Sequence, residues 1–186
     1  MLKPFAQFCF VAFLLMLPLT GFSQKLEKMM VDKFSNDTTK RTTMERIGAV
    51  DSFSSPEANY LNAGVTKAGD VIFLDIELDA TTINNYYFTV SNGDNLLLKL
   101  ADNSVIKLTN LNDPNTYKDR IKHGFIEREY FIANMAYAIT NFQIDDLMAS
   151  DVVAIRVETD GGHFDFDVKP KGNAVLKKTF KLIRGK

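Results

Sequence analysis

The amino-acid sequence predicts an α+β domain, predominantly antiparallel β, with one short helix and a C-terminal helix packed on the sheet. Three observations carry that prediction. Apolar and polar residues alternate with a two-residue period over Ile72–Asp79, Leu96–Leu100, Val153–Val157 and Phe164–Val168, the pattern of strands with one buried face. Tight-turn sequences separate these runs (Asn92-Gly93, Asp102-Asn103 and Asp160-Gly161-Gly162), and connections this short serve antiparallel neighbours. An apolar stripe at helical spacing, Leu176, Phe180 and Ile183, follows the last run. Periodicity decides which face is buried and leaves strand order open, so a curved sheet, a sandwich and a partial barrel all satisfy it.

Met1–Ser23 has the layout of a secretory signal peptide. Lys3 supplies the positive start, Phe5–Leu19 an apolar stretch broken at Pro18, and Gly21 and Ser23 the small residues a signal peptidase needs. The expected mature start is Gln24. A retained anchor would need roughly 20 apolar residues, and this run is shorter. Cys9, the sole cysteine, lies inside the run rather than directly after it, where a lipid acceptor belongs. The mature chain is therefore expected to have no disulfide, no thiolate chemistry and no transmembrane segment. Residues 24–186 suffice for one domain that buries its own core.

Met29–Phe34 and Thr42–Ile47 read as two strands joined through Ser35–Thr38. Pro56 and Gly64 mark Ser52–Thr66 as an irregular connection. Tyr86–Ser91 is expected to pair with Leu96–Leu100 across Asn92-Gly93, and that strand with Ile106–Leu108, as a meander. Asn110–Gly124, polar and holding Pro114, reads as a loop. Phe125–Tyr137 reads as a long strand, although Ala133–Ala138 also fits the start of a helix. Thr140 and Gln143 form a capping box for a short helix ending near Ser150. Ile139 and Ile144 are spaced as a staple, with Asp145 and Asp146 near the positive end of the dipole. Val153, Ile155 and Val157 point inward on a hairpin strand whose partner carries Phe164, Phe166 and Val168. The terminal helix is expected over Asn173–Ile183.

Charge and motifs restrict function more than they reveal it. The chain carries 22 Lys and Arg against 23 Asp and Glu, and lacks the long-range field that draws in nucleic acid. No nucleophile elbow, zinc-protease helix, phosphate-cradling glycine loop or paired cysteine motif occurs, so no catalytic residue and no cofactor is assigned. The best polar cluster is His163, Asp165 and Asp167 on one outward strand face, with Asp160 in the turn. Imidazole and carboxylates together suit a metal ion, whereas a solvated face with its acids paired to Arg156 is the simpler reading. Lys177, Lys178, Lys181 and Arg184 form a basic helix face that suits an anionic lipid or glycan, whereas complementing the helix dipole is the simpler reading. Tyr86-Tyr87-Phe88 and Tyr130-Phe131 place neighbouring rings on opposite strand faces, which fits a sheet filled on both sides. Asn36-Asp37-Thr38 fits an N-glycosylation sequon, and Asp37-Thr38-Thr39 resembles a bacterial O-glycosylation acceptor.

Gly21-Phe22-Ser23-Gln24, Val31-Asp32-Lys33-Phe34 followed by Thr38–Thr43, Val152–Val157, the Gly161-Gly162 turn and Ala174–Ile183 together resemble small secreted β-rich proteins of Bacteroidetes-type bacteria. The resemblance implies export and a β fold, and carries no activity or functional residues with it. Three classes of function follow. The first is an exported, non-enzymatic binding or interaction module of the cell envelope, periplasmic or surface-associated, engaging an envelope protein or a small ligand. The second is a carrier with an apolar pocket between sheet and helix. The third is a hydrolase-type enzyme with a site assembled from distant residues.

Overall fold

The computed structural model describes residues 25–31, 38–51, 58–81, 88–113, 116–123 and 126–185. The signal segment 1–23 with Cys9, Asn36 and Asp37 of the two glycosylation motifs, Pro56, and the Tyr86-Tyr87 pair lie outside them, whereas the O-glycosylation candidate Thr38 opens β2. The described chain holds eleven strands and two helices. The strands are β1 (Leu26–Val31), β2 (Thr38–Thr42), β3 (Glu45–Asp51), β4 (Ala58–Ala68), β5 (Val71–Thr81), β6 (Asn95–Leu100), β7 (Val105–Thr109), β8 (Thr116–His123), β9 (Ile126–Ile139), β10 (Val152–Thr159) and β11 (Gly162–Asp167). The helices are α1 (Asn141–Ala149) and α2 (Pro170–Arg184).

All strand pairs are antiparallel. One sheet has seven strands in the order β1-β2-β4-β5-β9-β8, with β3 on the same edge of β4 as β2; the other runs β11-β10-β6-β7. Single bridges stitch the two together, Gly48 to Val168 on one side and Asn110 to Tyr137 on the other. Around the molecule the order becomes β3-β4-β5-β9-β7-β6-β10-β11, a curled sheet that closes most of a barrel. Of the three architectures compatible with the periodicity, this is the partial barrel.

Side chains complete the backbone ladder where strands break. At the β2–β3 interruption the Thr42 hydroxyl accepts from the Val65 N–H at 2.9 Å. Asn110, fully buried, donates to the carbonyls of Ser91 and Asn112 and accepts from the N–H groups of Asn112 and Ala136. Asn173 of α2 does the same for β10, accepting from Val152 N–H at 2.8 Å and donating to Val152 C=O at 2.7 Å. An amide side chain is a peptide group in miniature, so it satisfies buried backbone that lacks a strand partner.

The inward faces of both sheets share one core. Leu61, Leu74, Ile76, Leu96, Leu98, Met135, Val157 and Phe166 belong to it, and α2 inserts Leu176, Phe180 and Ile183 among them. The expected helical stripe is therefore what fills the barrel. Phe88 packs edge-on to both Phe131 and Phe164.

Several expectations are corrected. Ser52–Thr66 is not irregular throughout, since β4 runs from Ala58 to Ala68. Gly64 lies within it, close to Met44 Sδ, where the chain crosses from β2 to β3. The early strands are three, Leu26–Val31, Thr38–Thr42 and Glu45–Asp51, rather than the two expected over Met29–Phe34 and Thr42–Ile47. Within Asn110–Gly124 the loop holds a strand, β8, an edge whose Tyr117–Arg120 side chains are all exposed; backbone pairing to β9 stabilises it without an apolar pattern. Phe88–Ser91 is not a ladder strand, and it is tied instead to Asp160, whose carboxylate accepts from Thr89 N–H at 2.8 Å. The meander thus reduces to the β6–β7 hairpin.

Val153 points outward, 40 % exposed, because the β6–β10 register shifts between Val152 and Ala154. Ala133–Ala138 is strand, in register with β5. The α1 capping box is present, with Thr140 Oγ1 accepting from Gln143 N–H and Gln143 Oε1 accepting from Thr140 N–H. Asp145 and Asp146 fall beyond its first turn, and Asp145 instead pairs with Arg184 at 2.6 Å. The last helix starts at Pro170, earlier than expected, because proline is preorganised for the first helical position.

Candidate functional site

The outward face of the four-stranded sheet forms an open groove of about 670 Å³. Leu97, Val105 and Ala154 give it an apolar floor, and Ala49 and Val50 of β3 complete the lining where the two sheets meet. Its polar lining is Lys99, Arg156, Asp165, Asp167 and Lys169. Arg156 and Asp165 face each other in the β10–β11 register and form a two-pronged ion pair, both contacts at 2.7 Å. That guanidinium holds the Asp165 carboxyl below the usual carboxylate range.

A smaller recess of about 170 Å³ adjoins the groove and shares Ala49, Asp167 and Lys169 with it. Arg46 and Lys171 add two cations, and Gly48 and Gly172 line it where β3 and the start of α2 pack too closely for a Cβ at Gly172, which would clash with the Ile47 carbonyl. The Arg46 guanidinium lies 3.7 Å above the Tyr60 ring centre, which holds it in place. Lys169 occupies the cap position of α2, no side chain caps the helix, and its first turn holds no acid.

The outward face of the seven-stranded sheet is organised differently. Asp75, Glu77 and Asp79 follow one another along β5. Asn62 of β4 donates from one nitrogen to both Glu77 Oε1 at 3.0 Å and Asp79 Oδ2 at 3.1 Å. Asp79 stands between Tyr60 and Ile132 in the register, is only 4 % exposed, and keeps Oδ1 without a hydrogen-bond partner among the described residues. Burial, reinforced by the neighbouring Glu77, pushes its pKa up to about 6. Asp75 is also raised by burial, against the opposing pull of the Thr66 hydroxyl and Arg41. Ala58, Tyr60, Tyr130 and Ile132 form a separate apolar cluster on this face.

The residues singled out in the sequence divide accordingly. Asp165 and Asp167 line the groove, while His163 stands exposed beside Asp165, Nε2 to Oδ2 3.6 Å. With Asp165 engaged by Arg156, the three do not form a ligand cage, and among the described residues no three His, Cys, Asp or Glu side chains converge to hold a metal ion. Two cations of the basic helix face are structural: Lys177 pairs with Asp151, and Arg184 ties α2 to α1 through Asp145 and the Asn141 carbonyl. Sequence reasoning missed Asp79, which reads as one more wet residue of an alternating strand, and the cations Arg46, Lys99, Lys169 and Lys171, which come together from separate elements. The Lys169-Pro170-Lys171 run, proline at a helix start between two lysines, was the available signal. No described helix is long and apolar enough to cross a membrane. No family model, curated protein or solved structure matches the chain.

Proposed function

We propose that this protein is an exported, non-enzymatic binding module of the cell envelope whose working surface is the groove on the four-stranded sheet. The observation that carries the reading is where space and chemistry lie. The interior between sheet and α2 is filled by Leu176, Phe180, Ile183 and the aromatic cluster around Phe88, whereas the outward groove combines an apolar floor with a charged rim. The filled interior favours this reading over a carrier with a pocket between sheet and helix. The enzyme reading would rest on Glu77 and Asp79, yet neither recess includes them, and Asp79 is walled in by Tyr60 and Ile132. The signal-like N-terminus supports export.

Native mass spectrometry of the protein, purified gently from the envelope of its own host, tests this. A reproducible added mass, small ligand or partner subunit, that leaves on denaturation is the expected result. A bare monomer that still turns over a panel of ester or glycoside substrates would replace the module with an enzyme.

A further inference from the structure

The two adjoining recesses differ in chemistry, and the difference is directional. The larger is floored by Leu97, Val105 and Ala154, and its volume of about 670 Å³ falls in the range of small-molecule sites, roughly 300–1,000 Å³. The smaller is bounded by Arg46, Lys169 and Lys171. Together they are lined by five basic residues against two acids, in a chain whose net charge is −1. Arg156 engages Asp165, so Asp167 is the lining acid that opposes the other cations, while Asp79 of β5 adds its own pull on Arg46. The Arg46 guanidinium is held on the Tyr60 ring and is ordered in advance of any ligand.

We propose that the two recesses form a single site for an amphipathic anion. Its apolar body lies on Leu97, Val105 and Ala154, and its carboxylate or phosphate head sits among Arg46, Lys169 and Lys171. Charge complementarity commits the head to that end, because Arg156, which stands across from Leu97, is engaged by Asp165, and the larger recess otherwise offers an anion Lys99 and the shared Lys169 at its rim. This rests on the binding-module reading and narrows it to a ligand class. It also assigns Asp167 a role, since an acid at the junction of the recesses discourages small, fully hydrated anions and favours ligands whose apolar body holds them in place.

Amide chemical-shift titration of the ¹⁵N-labelled protein, produced from the full sequence, provides the test, with laurate below its micelle concentration as the probe. Laurate should shift the amides of Leu97, Val105 and Ala154 together with those of Lys169, Lys171 and Gly172. Dodecanol and inorganic phosphate, each carrying one half of the chemistry, should bind at least about tenfold more weakly, which corresponds to about 1.4 kcal/mol. Lys169→Glu and Val105→Glu, both at exposed positions where folding is unaffected, should each weaken laurate by a similar factor and leave the melting temperature unchanged. Dodecyl phosphate binding tighter than laurate would assign a phosphate head, and the reverse a carboxylate. Equal binding of laurate and dodecanol, shifts confined to other surfaces, or no response to laurate would each overturn the proposal. A partner subunit found by native mass spectrometry, with no response to laurate, would overturn the ligand class and leave the module reading standing.

Discussion

Two strands carry acids at the same spacing and end in opposite circumstances. On β5, Asp75, Glu77 and Asp79 face outward, and on β11, His163, Asp165 and Asp167 do so. Their sequence patterns are equivalent. Yet Asp79 is buried with its pKa raised to about 6, while Asp165 is exposed with its pKa lowered by Arg156. Alternation assigns a side chain to a face, and the neighbouring strands decide whether that face is wet. Tyr60 and Ile132 enclose Asp79, whereas Arg156 is the cross-strand neighbour of Asp165.

The two carboxylates therefore pull stability in opposite directions as pH changes. Asp79 has a folded-state pKa above its unfolded value of 3.8, so its contribution is fully present below pH 3.8 and is lost as pH rises through about 6. Asp165 has a lowered pKa, so its contribution is present above pH 3.8 and is lost as pH falls through the folded value.

The largest expected effect comes from removing the buried charge. Asp79→Asn should stabilise the protein by about 2 kcal/mol at pH 8, allowing for residual solvent screening, and by almost nothing at pH 3.5. Urea denaturation across that range measures it, and a difference independent of pH would mean that folding leaves the Asp79 pKa unshifted. Asn62→Ala takes away the one amide that Glu77 and Asp79 share, and should cost about 1 kcal/mol at pH 8, less in acid. Smaller again is Arg156→Ala on the other face. It should destabilise by less than half the Asp79 effect, and the loss should fade in 1 M salt, as exposed ion pairs do. Smallest is His163→Ala, whose melting temperature should match the parent with or without zinc. A zinc-dependent rise lost in the variant would restore the metal reading of that hairpin.

What was legible in the sequence was local. The β10–β11 hairpin and the Thr140–Gln143 capping box depend on residues a few positions apart, and both are present. The class of fold was equally readable, because alternation and turn chemistry suffice for it. Features that depend on distant partners were not readable. The edge strand β8 leaves Tyr117–Arg120 exposed on both faces and so carries no alternation there to announce it, and Gly64, a breaker by its sequence, lies within β4 beside Met44. Half of the candidate site was visible as Asp165 and Asp167. The cations opposite them come from β3, β6 and α2, and only closure of the barrel brings them to one place.

The Asn173 amide that pairs with Val152 has a consequence for the order of events during folding. Strand β10 is made before α2, so its Val152 peptide waits for a partner that appears only when position 173 has been delivered and coiled. Contacts between residues separated along the chain carry a loop-closure cost, and a chain synthesised N-terminus first makes this one late. Until that moment the Val152 peptide, at the register shift of β10, lacks the side-chain partner that satisfies it. The helix α2 therefore completes the backbone hydrogen bonding of β10 as well as filling the core.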